Sequence, residues 1–275
     1  MKTRRPKPDS ARDPRGATPR ARFRATIRKP TPRVAKRGLY ERFRAATVAL
    51  GWRRSGERLL LALSGGRDSM ALLHLLLVSG HRPVAAHFNH RLRGRAAEAD
   101  ARWVRGLCRA WHVPLARGTA DVPSLARKHR LGLEEAARIA RYRFLHSAAV
   151  RRRLRTVATA HHLGDQAETV LLRVLLGTAH PGAFGMRASR PLPPLAWPGG
   201  LRPRGGGLRL VRPLLAAPPG EIAAYVRRQR IPFLEDASNR VLAHPRNWLR
   251  HRLLPLAARR LNRNLLKSLA RLAAR

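Results

Sequence analysis

Two glycines, two hydroxyls and a carboxylate lie within one six-residue segment of the chain: Ser64, Gly65, Gly66, Arg67, Asp68 and Ser69. Glycine lets a backbone approach an anion closely because it has no Cβ, and serine hydroxyls can add hydrogen-bond donors. A carboxylate beside phosphate groups repels them unless a divalent cation lies between the two. Asp68 therefore indicates a phosphate site that also holds a metal ion.

The flanking residues predict the strand and the helix that position this segment. Residues 59–63 form a short apolar run, as in a buried strand, and residues 70–78 form an apolar helical run. A helix that follows a glycine turn aims its free N–H groups and its positive dipole end at an anion. No lysine follows the glycines, so this is not the GxxxxGK[ST] loop. An ordinary Gly-Gly turn between a core strand and a core helix is the alternative.

Two further polar clusters follow predicted strands. The strand predicted at 84–87 leads into polar residues that extend to 93, and the strand predicted at 156–160 leads into residues 161–169. In open α/β sheets, ligands bind at the carboxyl ends of the strands. The second cluster holds two histidines, a glutamine and two acids, Asp165 among them, which is more than a helix cap requires. We therefore expect both clusters to lie near the phosphate segment.

A fourth group of charges lies on the helix predicted to begin at residue 132. Glu134, Arg138 and Arg141 are spaced four and three residues apart, so they share one face of that helix. The face could contact a ligand, or it could be an ion-paired surface open to solvent.

The charge balance of the chain points to a polyanionic partner. Its 275 residues include 58 Lys and Arg against 15 Asp and Glu, for a formal net charge of +43. Nucleic acid is the partner that best explains such an excess. The alternative explanation is a general bias of amino-acid composition, since arginine greatly outnumbers lysine. A nucleic-acid partner and a compositional bias can both contribute to the charge.

The single cysteine and the hydropathy pattern exclude several classes of protein. Cys108 alone cannot form an intrachain disulfide or a CxxC metal site. No apolar run reaches the length of a membrane span, and no signal peptide follows Met1. A cytoplasmic enzyme is the expectation.

The order of the predicted elements indicates the fold and its divisions. Strands alternate with helices, which predicts an α/β fold: a doubly wound parallel sheet with a small helical C-terminal extension. We expect a disordered basic arm over residues 1–36, a catalytic domain over 37–255 and a basic C-terminal helix over 256–275. The arm could bind RNA, direct the protein to an organelle or have no function.

Four segments in the last part of the chain complete this prediction. Residues 181–207 are rich in proline and glycine and predict a long loop. Residues 208–215 predict a strand, residues 220–230 a helix, and residues 261–275 a basic amphipathic helix.

Seven motifs in order make the chain resemble the tRNA(Ile)-lysidine synthetase family, within the PP-loop superfamily of ATP pyrophosphatases. They are SGGRDS at 64–69, HFNHRLR at 87–93, GLEEAARIARY at 132–142, ATAHHLGDQAET at 158–169, RPLL at 212–215, EDASN at 235–239 and RNWLR at 246–250. The resemblance implies adenylation of the C2 carbonyl oxygen of the wobble cytidine in an isoleucine tRNA with a CAU anticodon. Free L-lysine then displaces AMP to form lysidine.

The resemblance also implies roles for individual residues. Ser64 to Ser69 would hold the pyrophosphate part of ATP, and Asp68 would bind Mg²⁺. Asp165 would share the metal or orient the reacting groups. His87, Arg138 and Arg141 would contact ATP or tRNA, with Arg138 a candidate for catalysis.

The chain departs from the family pattern in two respects. Gly164 replaces the first of two adjacent acids, which would weaken the metal site, and the chain ends soon after the catalytic domain, as in a short form. The alternatives are a PP-loop tRNA thiolase, which one cysteine argues against, a small-molecule amide-forming ligase, and an RNA-binding homologue with weakened catalysis. The sequence does not predict the oligomeric state.

Overall fold

The computed structural model describes residues 30, 38–52, 56–178, 184–192, 195–198, 200, 207–235 and 245–274. The predicted basic arm, apart from Pro30, lies outside the described residues, as do residues 236–239 of the EDASN motif.

The strands form one six-stranded sheet. In chain order they are β1 (Arg58–Ala62), β2 (Arg82–Asn89), β3 (Leu115–Thr119), β4 (Thr156–Ala158), β5 (Ser189–Pro191) and β6 (Arg209–Val211). Their order in the sheet is β3-β2-β1-β4-β6-β5, and every neighbouring pair is parallel except β5 and β6. The chain builds outward from β1 on one side and then crosses to β4 on the other. The carboxyl ends of β1 and β4 therefore flank the point where ligands bind in such sheets.

The helices cover both faces of the sheet and follow it at the C-terminal end. They are α1 (Leu39–Ala49), α2 (Arg67–Val78), α3 (Arg95–Ala110), α4 (Val122–His129), α5 (Leu133–Arg151), α6 (Leu163–Leu175), α7 (Pro219–Arg228), α8 (Pro245–Trp248), a π-helical segment (Leu249–Leu253), α9 (Leu254–Arg260) and α10 (Leu265–Ala274). Among the described helices, none is long and apolar enough to cross a membrane.

Alternation along β1 shows how one short strand serves two cores. Leu59 and Leu61 pack into a cluster with residues of α1, α2, α3 and α7, whereas Leu60 packs on the other face with Tyr142 and Leu145 of α5. Successive side chains of a strand point to opposite faces, so a continuous apolar run is what a strand buried on both faces requires. The doubly wound α/β fold is confirmed.

Some of the predicted elements differ from the structure. The loop predicted over 181–207 was wrong in part, because it contains β5, a three-residue edge strand that ends in Pro191. Proline is tolerated there because an edge strand has N–H positions that need no partner. The strand predicted at 208–215 is shorter, and α4 was not predicted. The RNWLR motif at 246–250 lies in α8 and the π-helical segment, and α10 packs against α6.

Candidate functional site

The predicted phosphate segment forms a turn between β1 and α2 that is braced by its own side chains. The Ser64 Oγ accepts a hydrogen bond from the Gly66 N–H at 3.2 Å and lies 3.1 Å from the Ser69 Oγ. The Ser69 hydroxyl donates to the Gly66 carbonyl at 2.9 Å. Gly66 is the residue before α2, so the free N–H groups of the first helical turn open directly onto this turn.

Gly65 is required at its position for two reasons. Its φ is +90°, in the region that side chains disfavour, and a Cβ there would lie 2.8 Å from the Leu234 Cδ1 and 3.1 Å from the Val104 Cγ2. The Leu234 N–H donates to the Gly65 carbonyl at 2.9 Å, and Leu234 and Gly66 form a parallel bridge. A segment that follows α7 therefore supports the back of the turn.

Asp68 and Asp165 are brought together by His162. The His162 Nε2 lies 3.6 Å from the Asp68 Oδ2, and its Nδ1 accepts the Asp165 N–H at 3.2 Å. The Asp165 carboxylate in turn accepts the His162 N–H at 2.9 Å, which completes a reciprocal cap at the start of α6. The first turns of α2 and α6 thus face each other through one imidazole.

The electrostatics keep Asp68 ionised. Burial raises the pKa of Asp68, but His162 and Arg67 outweigh burial, so that the pKa lies below its usual range. The Arg67 Nε donates to the Asp68 Oδ1 at 3.1 Å. For His162, burial lowers the pKa, yet Asp68 and Asp165 raise it further than burial lowers it. An Nδ1 that accepts the Asp165 N–H carries no proton, however, so the observed geometry is that of the neutral ring, with Nε2–H directed at Asp68.

Arg250 is a member of the site whose role sequence reasoning did not find. Its Nη2 donates to the Asp165 Oδ1 and the Glu168 Oε2, both at 2.9 Å, and its Nε donates to the Glu168 Oε1 at 2.6 Å. The Glu168 side chain is only 2% exposed. Burial raises the pKa of Glu168, and the nearby Asp165 carboxylate raises it as well. Arg250 lowers it, but the pKa of Glu168 still lies above its usual range. The RNWLR motif was the available signal, but nothing in it indicates that Arg250 contacts two acids more than eighty residues earlier.

His87, at the end of β2, is held by the end of β1. Its Nδ1 lies 2.9 Å from the Leu63 carbonyl oxygen, which can only accept, so Nδ1 carries the proton. Burial lowers the pKa of His87, and Nε2 of the neutral ring is therefore an acceptor. His87 lines the same cavity as the turn.

The two predicted arginines of α5 lie in different places. Arg138 makes two hydrogen bonds to the Glu135 carboxylate, at 2.9 and 3.2 Å, and does not line the cavity. Arg141 does line the cavity. The interpretation of this face as ion-paired thus fits Arg138, and its role in catalysis stays a prediction.

The cavity in front of the turn has a volume of about 1040 Å³. Its walls come from the ends of β1, β2 and β4, from α5, and from the C-terminal helices, so residues far apart in the chain meet there: Ser64, Asp68, His87, Arg141, Asp165 and Arg250. Among the described residues, no three His, Cys, Asp or Glu side chains converge to hold a metal by themselves. Two nearby carboxylates suit Mg²⁺ that is bound chiefly by phosphates and water.

Comparison with known proteins relates this geometry to a family. Residues 39–257 match the PP-loop domain family. The chain is 39% identical over 236 residues to a tRNA(Ile)-lysidine synthase of Geobacter sulfurreducens, covering 85% of this chain and 47% of that protein. It is 41% identical over 219 residues to the tRNA(Ile)-lysidine synthase of Porphyromonas gingivalis, covering 79% of this chain and 44% of that protein. The chain therefore spans about half the length of the curated relatives it matches.

A solved structure shares the fold. A U34-tRNA thiolase from Methanococcus maripaludis superposes with a TM-score of 0.62 at 15% sequence identity, covering 85% of this chain and 78% of that one.

Proposed function

The chain belongs to the PP-loop domain family, and from this premise we propose that it is a tRNA(Ile)-lysidine synthase. In the proposed reaction, the C2 carbonyl oxygen of the wobble cytidine attacks the α-phosphorus of ATP, and pyrophosphate leaves. The amino group of L-lysine then attacks C2, and AMP leaves with that oxygen. The observation that carries the proposal is the turn at Ser64–Ser69 facing Asp165 across His162, in a chain about 40% identical to two such synthases.

ATP fits the turn between β1 and α2. The glycines leave the backbone open to the pyrophosphate part of ATP, and the N-terminus of α2 supplies N–H groups and positive dipole for its charge. The bracing of Ser64 and Ser69 fixes the turn before ATP binds, so less ordering accompanies binding.

Asp68 and Asp165 are the residues we propose for Mg²⁺. Both place carboxyl oxygens at helix starts that face the cavity, and the ion would neutralise charge on the phosphates. Each carboxylate also accepts hydrogen bonds from the protein, Asp68 from Arg67 and Asp165 from Arg250 and His162. These bonds orient the carboxylates and leave lone pairs for the ion or its waters.

The cysteine of this chain favours lysidine formation over thiolation. Cys108 is buried in α3, and burial raises the pKa of its thiol to about 11. A thiol with such a pKa is a poor nucleophile at neutral pH, and Cys108 does not line the cavity. We place the reaction in the cytoplasm, where tRNA, ATP and free lysine occur together.

The decisive experiment measures AMP release by the whole chain with ATP, Mg²⁺, lysine and an isoleucine tRNA transcript with a CAU anticodon. We expect AMP release that requires both lysine and the tRNA, and we expect a transcript with uridine at the wobble position to give none. Release that needs ammonia instead of lysine and ignores tRNA would support a small-molecule ligase. Binding of tRNA without AMP release under any of these conditions would support a non-catalytic homologue.

A further inference from the structure

Arg212 is a buried arginine at the end of β6, and no carboxylate of the described residues balances its charge. Only 4% of the residue is exposed, and among the described residues no acid contacts its side chain. Its Nη1 donates to the Arg187 carbonyl at 2.6 Å, and its Nε donates to the His161 Nδ1 at 3.2 Å. Buried arginines are normally paired with acids because an uncompensated charge is costly inside a protein.

The contact with His161 fixes the protonation of that ring. An arginine N–H can only donate, so the Nδ1 that it meets must present a lone pair. The Thr159 hydroxyl lies 2.9 Å from the same nitrogen and can donate to it as well. The proton of the neutral ring is therefore on Nε2.

The charges around His161 agree with a neutral ring. Burial lowers the pKa of His161, and Arg212, Arg141 and Arg246 lower it as well; against the opposing effect of Asp165, the pKa lies at about 4. At neutral pH the ring thus has one free polar group, the Nε2–H. His161 follows β4 and lines the cavity together with Asp68 and Asp165.

We propose that Arg212 is a positioning residue that holds His161 as the neutral Nε2–H tautomer, so that the ring donates a hydrogen bond to an oxygen of the bound substrate. A ring fixed in this way cannot act as a base, because its lone pair is already used by Arg212. A neutral imidazole donor stabilises negative charge that develops on an oxygen without adding a proton to it. Only the identity of that oxygen, on ATP or on the cytidine, rests on the proposed function.

The first test needs no substrate. In the whole chain labelled with ¹⁵N-histidine, the His161 ring signals, identified by their loss in His161→Gln, should show protonated Nε2 and unprotonated Nδ1. In Arg212→Met we expect a mixture of tautomers and a midpoint of titration that moves up towards the ordinary histidine value. Arg209→Met is the matched control, since Arg209 lies on the same strand and donates to the Leu50 carbonyl. Should Arg212→Met not fold, Arg212→Lys keeps a cation that can only donate, so we expect Nδ1 to stay unprotonated in it, and a protonated Nδ1 there would overturn the proposal.

The second test links the tautomer to the rate of AMP release. Glutamine also offers an N–H near the position of Nε2, and it neither titrates nor changes tautomer. We therefore expect His161→Gln to retain more activity than His161→Phe, and we expect Arg212→Met to lower the rate at least tenfold in the parent but much less in the His161→Gln background. Unchanged ring signals in Arg212→Met, or equal losses of rate in both backgrounds, would overturn the proposal. If the parent releases no AMP, the proposed function fails, while the ring signals still decide the role of Arg212.

Discussion

At the scale of single residues, Asp68 is the strongest candidate for a group on which the reaction depends. It lies at the start of α2, beside the turn we assign to phosphates, and receives contacts from Arg67 and His162. We predict that Asp68→Ala and the isosteric Asp68→Asn abolish AMP release, because neither can bind Mg²⁺ as a carboxylate does. Thermal unfolding should change little, since Asp68 lies in the first turn of α2, beyond the carboxyl end of β1, and faces the cavity. Near-normal turnover of either variant at saturating Mg²⁺ would contradict the metal role.

Gly164 has a different significance in the structure from the one its sequence suggests. From the sequence, it is a missing acid, and Gly164→Asp should lower the Mg²⁺ concentration needed for activity. In the structure, a Cβ at this position would lie 2.9 Å from the His162 Cε1 and 3.1 Å from its Nδ1. The ring that links Asp68 and Asp165 thus occupies the space of a side chain at residue 164.

We accordingly predict that Gly164→Ala, which adds only the Cβ, displaces His162 and costs about 1–3 kcal/mol in stability. Chemical denaturation measures this cost, and a Mg²⁺ titration of AMP release with Gly164→Asp tests the expectation drawn from the sequence. If Gly164→Asp lowers the Mg²⁺ requirement, the ring gives way easily and the acid acts as the sequence suggested.

At the scale of elements, the π-helical segment contributes one arginine that pairs with two acids of α6, in addition to the packing of α10 against α6. π-Helical turns are rare and are found often at functional sites. Here the segment carries Arg250, which pairs with Asp165 and with the buried Glu168. Removal of one partner from a buried pair leaves a charge uncompensated, which is more harmful than removal of both.

We therefore predict that Arg250→Met lowers the free energy of unfolding by roughly 3 kcal/mol. The double variant Arg250→Met with Glu168→Gln should recover part of this loss, because the buried charge is gone. Denaturant unfolding of the parent, both single variants and the double variant measures the coupling. Additive losses would show that Glu168 does not depend on Arg250.

The contact between α2 and α7 predicts a dependence of stability on pH. The His74 Nδ1 lies 2.8 Å from the Tyr225 hydroxyl, and burial lowers the pKa of His74 to about 4. The His74 ring takes up a proton near pH 6.5 in the unfolded chain and only near pH 4 in the folded chain. The stability contributed by neutral His74 is thus complete above pH 6.5 and falls by roughly 1.4 kcal/mol per pH unit below it.

We predict that His74→Gln, which keeps a polar partner for Tyr225, reduces the slope of unfolding free energy against pH between 4 and 6.5. The exposed His112→Gln should leave the slope unchanged. An equal slope in the parent and in His74→Gln would show that other groups, such as His161, account for the acid sensitivity.

The contrast between local and distant contacts explains what could be predicted from the sequence. The turn at Ser64–Ser69 can be recognised in the sequence because it is made of consecutive residues. Asp165 was expected nearby because parallel strands bring their carboxyl ends to one edge of the sheet. Arg250 and Leu234 reach the site from residues outside those strand ends, through contacts that no local pattern encodes. Arg212 follows β6, but the strand predicted over 208–215 extended past it. β5 was missed because three residues with a proline give no periodicity.

At the scale of the whole molecule, the charge of +43 predicts salt-sensitive binding of RNA. Lys and Arg side chains that neutralise RNA phosphates release the counterions bound there. The affinity for tRNA should therefore fall steeply as the salt concentration rises. We predict that deletion of residues 1–36 lowers tRNA affinity and flattens the slope of log affinity against log salt, while ATP binding stays unchanged. Filter binding across a salt series measures both quantities. An unchanged slope would show that the arm does not contact RNA.

The support that Leu234 gives to Gly65 has a consequence for the order in which the protein is made. The turn leaves the ribosome early, yet the residue that closes its back is synthesised about 170 residues later, and Arg250 later still. An unfinished chain can therefore form the early strands while the turn between β1 and α2 still lacks its contact with Leu234. Fragments that end before Leu234 lack the residue that closes the back of the turn, and we expect the turn to be less ordered in them than in the whole chain.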